Sequence, residues 1–261
     1  MKKNESKLII RVLSKSFNTP DNNIQVLTNI NLHVEKGELV ALIGPSGCGK
    51  TVFLDCISGL LTHDTGEILV GDNAINKGKH FVSYLLQNDG LLPWRRIIDN
   101  VMLPLEIKGV DKKNAKKRAQ KLLKQFGLSE FEKYYPSQLS GGMIQRAALA
   151  RTYLVDNDII LMDEPFSRLD ALTKLTTQQW FLYIWEKYKK TVLFVTHDID
   201  EAIFLADRIY VMSVRPGRII AEYTVSIPRP RKNDVSTTSQ FISLKKKLLE
   251  ALKKNRGFNS D

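Results

Sequence analysis

Three short segments in a fixed order restrict the fold of this chain more than any other feature in it. The first is Gly44-Pro45-Ser46-Gly47-Cys48-Gly49-Lys50-Thr51, preceded by the apolar run Leu39 to Ile43 and followed by helical patterning from Thr51 to Leu60. This is the strand–GxxxxGK(S/T)–helix arrangement. Its glycines let backbone N–H groups converge on phosphate oxygens, and the following helix presents its positive end to the same anion. In that arrangement the Lys50 ammonium reaches the β- and γ-phosphates, and the Thr51 hydroxyl ligates Mg²⁺. The second segment is Leu139-Ser140-Gly141-Gly142, which taken alone reads equally well as a helix-capping turn. The third, Ile159-Ile160-Leu161-Met162-Asp163-Glu164, is an apolar strand ending in two carboxylates. Asp163 then stands at a strand terminus, suited to bind Mg²⁺ directly or through water. Glu164 can act as general base on an attacking water.

The remaining elements follow from apolar periodicity. Ile30, Leu32 and Val34 alternate as a strand, Lys36-Gly37 reads as a turn, and Ile68–Val70 and Phe81–Leu86 as further strands. From about Ile97 to Arg151 the pattern is helical. Strand-like runs return at Ile159–Met162, Val192–Thr196, Ile209–Val214 and Ile219–Val225, before Pro228-Arg229-Pro230-Arg231 breaks regular structure ahead of a last helix. The order predicts an α/β core interrupted by a helical lobe.

At 261 residues the chain suits one large domain, or one domain with a lobe. No apolar run approaches the roughly 18 residues of a membrane span. The basic start Met1 to Lys7 lacks the apolar core of a secretion signal, so a cytosolic location is expected. Cys48 and Cys56 are expected as reduced thiols, because a disulfide would distort the glycine-rich loop and two cysteines make a poor metal site. Lysine and arginine exceed acidic residues, 39 against 28. That excess suits a solvated face, an anionic membrane surface or nucleic acid. Much of it lies in Lys112 to Lys124 and Lys245 to Lys254. Both stretches carry apolar residues at helical spacing: Ala115, Ala119, Leu122 and Phe126, then Phe241, Leu244, Leu248 and Leu252. Interleaved aromatics of a strand-binding groove are missing there, which disfavours nucleic acid.

Together the three segments resemble the ATP-binding cassette (ABC) ATPases, over about residues 8–225. The resemblance implies an α/β fold: a P-loop NTPase core of ABC ATPase type, with an antiparallel β subdomain and an inserted α-helical subdomain. It implies a nucleotide-binding domain at residues 1–226, with the helical subdomain inserted at about 97–151, and a basic helical extension at 227–261. ATP and Mg²⁺ are the implied cofactors. Nucleotide contacts would run from Gly44 through Thr51 to Val52, with Phe17 stacking on the base. Ser140, Gly141 and Gly142 would bind the γ-phosphate held by a second copy, so that two chains sandwich two ATP molecules. Gln87 maps onto a loop that senses Mg²⁺ and the membrane partner, Ser167-Arg168-Leu169-Asp170 onto a loop crossing the dimer interface, and His197 onto a switch histidine near the γ-phosphate.

Three positions depart from the family pattern. Val52 stands where a second hydroxyl is usual, Met143 replaces a glutamine, and Arg168 replaces a small residue. Lys50, Asp163, Glu164 and His197 are all in place, so an active ATPase is expected. Gly90-Leu91-Leu92-Pro93-Trp94-Arg95, Arg215-Pro216-Gly217-Arg218-Ile219 and the 228–231 stretch are similar to the ATPase subunits of nitrate, sulfonate and taurine importers. That likeness implies a homodimer under integral membrane permease subunits, on the cytoplasmic face, fed by an extracytoplasmic substrate-binding protein, with no nucleic acid. A soluble ABC ATPase acting on nucleic acid or ribosomes is the alternative, although neither a second cassette nor a long coiled coil is present. A P-loop kinase would lack the LSGG loop, and a non-catalytic regulator would not need Glu164 and His197.

Overall fold

A computed structural model describes residues 6–20, 22–71, 73–74 and 82–255. The basic start at 1–5 and Phe81, the first residue of the expected Phe81–Leu86 strand, lie outside the described residues. In chain order the elements are β1 (Ser6–Asn18), β2 (Asn23–Glu35), β3 (Leu39–Ile43), α1 (Lys50–Ser58), β4 (Thr65–Val70), β5 (Asn73–Ala74) and β6 (Val82–Leu85). There follow α2 (Ile97–Ile107), α3 (Lys112–Gln125), α4 (Gly141–Leu154), β7 (Ile159–Asp163) and α5 (Ala171–Tyr188). The last are β8 (Thr191–Thr196), α6 (Ile199–Leu205), β9 (Arg208–Met212), β10 (Ile219–Thr224) and α7 (Ser239–Lys254). Two compact units result, one from the described residues before 82 and after 188, the other from residues 82–188.

In the first unit β3 lies between β8 and β9 and runs parallel to both, while β10 pairs antiparallel with β9. All five residues of β3 and all six of β8 are buried. A strand covered on both faces needs a continuous apolar run, which is what Leu39 to Ile43 supplies. The antiparallel part is β2-β1-β4-β5. There one face is covered, so burial alternates: Ile30, Leu32 and Val34 point inward. The β1–β2 ladder is broken by register shifts near Ile10 and Leu13, where Val12 takes φ 51 and donates its N–H to Asn31 Oδ1 at 3.0 Å.

Helix α7 docks on α6 and β9 through Phe241 and Leu248, both fully buried. Its connection is more than a break. Arg231, 5% exposed, donates to the carbonyls of Ile203, Phe204, Ala206 and Ile227 at 2.7–3.2 Å. Those first three carbonyls sit at the C-terminal end of α6, so a buried cation satisfies the acceptors that a helix end leaves over. Arg229 pairs with Asp207 at 2.7 Å beside it.

In the second unit β6 and β7 pair in parallel, from Val82–Ile159 to Leu85–Met162. Helix α2 packs on α3 and α4. The expected apolar stripe of α3 is buried at Ala115, Ala119 and Leu122; Phe126, fully buried, caps the helix one residue past its end. Helix α5 has no counterpart in the sequence expectations. It buries Phe181, Ile184 and Trp185, and its Trp180 meets Phe126 edge-on at 5.2 Å. The strands expected at 30–34 and 68–70 are the ends of longer ones, β2 beginning at Asn23 and β4 at Thr65, while the other expected strands differ by a residue or two at their ends. The helix expected over Thr51–Leu60 starts at Lys50 and stops at Ser58, because Gly59 turns left-handed (φ 79) and its N–H closes on Cys56 O.

Candidate active site

The first unit holds the loop at 44–51, Val52, Phe17 and His197. Strand β3 delivers the loop, and α1 begins at its far end without a side-chain cap. Gly49 takes φ 106, and a Cβ there would lie 2.9 Å from Leu27 Cδ2 and from Val26 Cγ1. Only glycine fits this left-handed position against β2. Lys50 is 7% exposed and folds over the loop, donating from Nζ to Gly44 O at 2.9 Å and Pro45 O at 3.0 Å. A buried ammonium beside a glycine-rich loop and a helix start is chemistry suited to a polyphosphate. Cys48 is buried; desolvation pushes its thiol up despite the pull of the nearby Lys50. Thr51 is exposed and Val52 half-buried.

His197 is exposed at the end of β8. Its neighbours fix it there: Asp198 N–H donates to Thr196 Oγ1 at 3.0 Å, and Asp198 Oδ1 accepts from Asp200 N and Glu201 N to cap α6. Phe17, near the end of β1, is 37% exposed, with Lys15 Nζ at 5.3 Å from its ring centroid.

The second unit holds Gln87, Ser140, Gly141, Gly142, Asp163 and Glu164. Asp163 closes β7 at 3% exposure. Glu164 follows with φ 45, a left-handed conformation that a residue with a Cβ seldom adopts. A tight turn sustains it, since Ser167 N and Oγ both donate to Glu164 O, at 3.2 and 2.9 Å. Strain of this kind concentrates at functional positions because it aims a side chain. Gln87 Nε2 donates to Glu164 Oε2 at 3.3 Å.

Ser140 caps α4, its Oγ accepting from Met143 N at 3.4 Å. The two glycines after it have a packing reason. A Cβ on Gly142 would stand 2.9 Å from Thr173 Cγ2, and one on Gly141 would stand 3.2 Å from Leu169 Cδ2. They let the α4 start approach the segment that opens α5.

Sequence reasoning missed the residues that hold the Gln87 loop. Arg151 donates to Asp89 O and Gly90 O, both at 2.6 Å, and Arg168 donates to Asn88 Oδ1. Arg168, singled out above only as a departure, thus has a partner in this loop. Asn100, fully buried, was also missed. It accepts from Leu92 N at 2.6 Å and donates to the carbonyls of Leu92, Arg95 and Arg96. It shapes the turn that leaves Trp94 72% exposed. An Asn inside a helical apolar stripe was the available signal.

Gln87 and Asp163 in the second unit and Thr51 in the first each carry an oxygen donor of the kind that a hard cation such as Mg²⁺ takes. Among the described residues no helix is long and apolar enough to cross a membrane.

Comparisons with known proteins give the family. The family model described as ABC transporter matches residues 27–167. An uncharacterized ABC transporter ATP-binding protein of Methanocaldococcus jannaschii is 43% identical over 247 residues, 95% of this chain and 91% of that protein. The aliphatic sulfonates import ATP-binding protein SsuB of Bacillus cereus is 41% identical over 238 residues, covering 91% of this chain and 92% of its own. Among solved structures, a dimeric bacterial ABC transporter cassette superposes with a TM-score of 0.73 at 30% identity, over 85% of this chain and all of that one. The cbiO1 subunit of a Clostridium perfringens ABC transporter complex superposes at 0.76 over 94% of this chain, with 20% identity, and speaks for the fold alone. By sequence over nearly its whole length, and by fold, the chain belongs to the ABC transporter family, as an ATP-binding, ATP-hydrolysing cassette.

Proposed function

We propose that this cassette energises an importer for a small organic or inorganic anion of the nitrate, sulfonate or taurine type. The observation that carries the reading is the 41% identity to a sulfonate-import ATP-binding protein across nine-tenths of both chains. The exposed Trp94 on a turn held by buried Asn100 supports it, because a rigid aromatic anchor suits a docking contact with a permease subunit. Two copies would act beneath two permease subunits on the cytoplasmic face, served by an extracytoplasmic binding protein. The nucleic-acid and ribosome alternative has no matching observation.

In this reading Gly44 to Val52 cradle the phosphates, Lys50 neutralises the β- and γ-oxygens, and Phe17 stacks on the base. Thr51, Asp163 and Gln87 are the residues that would hold Mg²⁺, which would neutralise negative charge on the phosphates. Glu164 takes the proton of the attacking water. His197 stabilises the γ-phosphate, and Ser140, Gly141 and Gly142 close on it from the second copy. Residues 1–226 form the nucleotide-binding domain, with about 97–151 as its helical insertion and 227–261 as its extension. Purification of the tagged chain from gently solubilised native membranes tests the whole. Co-purification of a polytopic membrane protein is expected; recovery with ribosomes or DNA alone would overturn it.

A further inference from the structure

The turn between β9 and β10 has no role in the functional reading above, yet it grips the phosphate loop. Ser213 closes this turn, its N–H donating to Arg218 O at 2.9 Å and its Oγ to Pro216 O at 3.0 Å. Gly217 then pairs with β2: its N–H donates to Val26 O at 2.8 Å, and its carbonyl accepts from Thr28 N at 2.9 Å. The backbone of Gly217 lies so close under the loop that a Cβ would stand 2.4 Å from Cys48 O. From the same turn the Arg215 guanidinium reaches across to Gly47, donating from Nη2 to its carbonyl at 3.1 Å.

We propose that Arg215 is a positioning residue for nucleotide binding, acting through the peptide unit between Gly47 and Cys48. The proposal rests on residues 44–51 being the phosphate loop. Gly47 is left-handed (φ 75) with nothing within 4 Å of the space a Cβ would take, and the N–H of that peptide, on Cys48, makes a long bond to Pro45 O at 3.4 Å. A guanidinium on its carbonyl does two things. It holds the orientation of the peptide, whose Cys48 N–H closes on Pro45 O at 3.4 Å within the loop, and it polarises the amide so that this N–H is a stronger donor. The Arg215 charge also reaches the loop interior, where it opposes the desolvation that raises the Cys48 thiol. Because Arg215 itself is exposed, its removal leaves the core untouched.

The test is equilibrium binding of ATP and ADP, with steady-state hydrolysis, on the full chain and its Arg215→Ala and Arg215→Lys variants. Arg215→Ala should weaken both nucleotides alike and raise KM, by about fivefold, the size of one solvent-exposed charge-assisted hydrogen bond. Its kcat should hold, and Arg215→Lys should recover part of the affinity. Unchanged affinity in Arg215→Ala would overturn the proposal. So would a loss confined to ATP, which would mean direct contact with the γ-phosphate. If the parent chain itself bound neither nucleotide, the phosphate-loop assignment would fall first.

Discussion

Gln87 and Glu164 are joined by a hydrogen bond, Nε2 to Oε2 at 3.3 Å, although 77 residues separate them. The loop carrying Gln87 is pinned by Arg151 through two backbone carbonyls and by Arg168 through Asn88. The carboxylate at the other end is aimed by a left-handed backbone. A push on the Gln87 loop therefore reaches the candidate general base directly, with only one side-chain contact between them.

Replacing Glu164 by Gln removes the base and keeps the shape. Turnover should fall about 10²–10⁴-fold, the usual contribution of a positioned proton acceptor, while ATP binding persists and the dimer accumulates. Phosphate release and equilibrium binding on the same sample check this. Full turnover would sink the assignment.

Lys50→Ala removes an ammonium that bridges Gly44 O and Pro45 O as well as any contact with phosphate. Hydrogen bonds to a charged group contribute about 1.5–3 kcal/mol each, so nucleotide affinity should drop at least about tenfold. Hydrolysis should be lost with it, measured as phosphate release across an ATP titration. Unchanged turnover would overturn the role given to this loop.

Trp94 and Asn100 separate docking from folding. Trp94→Ala deletes an exposed ring, so stability should move by no more than about 0.5 kcal/mol and basal hydrolysis should hold. Permease binding should weaken. Asn100→Ala instead leaves buried backbone groups of the turn without partners, at a cost of about 1–3 kcal/mol. Thermal melts and pull-down with the membrane subunit distinguish the two; an unaltered complex with Trp94→Ala would remove the ring from the interface.

How much of this was legible in the sequence depended on whether one local rule decided the element. Strand β3 and its loop were legible because a doubly buried strand must be a continuous apolar run and the loop glycines have one backbone use. The Ser140 cap was legible as a small polar residue before a helix. Strand β1 was not, since its bulges at Val12 and Leu13 break the alternation that marks a strand. Helix α5 was hidden because Thr176, Thr177, Phe181 and Tyr183 favour strands, and tertiary packing of Phe181 and Trp185 overrides that preference. The ties at Arg151, Arg215 and Arg231 join residues 25 to 168 apart to backbone carbonyls. No pattern in the chain announces such a partner.

Burial holds the Cys56 thiol up, from 9.0 to about 12. A folded-state value raised above the unfolded one contributes stability that is complete below the unfolded value and is lost as pH rises toward the folded one. Between about pH 9 and 12 each pH unit should remove about 1 kcal/mol in the parent relative to Cys56→Ala. Urea midpoints for both proteins across that range test it, and parallel curves would count against a buried, neutral thiol.

Arg208 holds the largest cluster of ion pairs described in the first unit. This side chain, 8% exposed, makes a bidentate ion pair with Glu38, through hydrogen bonds of 2.7 and 2.9 Å, and a single ionic hydrogen bond to Glu222 at 2.9 Å. It also donates to Tyr210 Oη and His33 O, both at 3.0 Å. Burial alone would lower its pKa, but the two carboxylates outweigh that and raise it, so the charge is permanent. These partners lie on β2, on the turn before β3, and on β9 and β10, so one cation ties the parallel strands to the antiparallel sheet. Arg208→Met would strand the Glu38 carboxylate, itself 15% exposed, at a cost of about 3–5 kcal/mol. Glu38→Gln alone should also destabilise, because it leaves the cation undercompensated. The double variant should cost clearly less than the two single changes added together, the mark of groups that interact directly. Additive losses in denaturant unfolding would show that the two residues act separately, and the tie between the sheets would then have to be sought in packing.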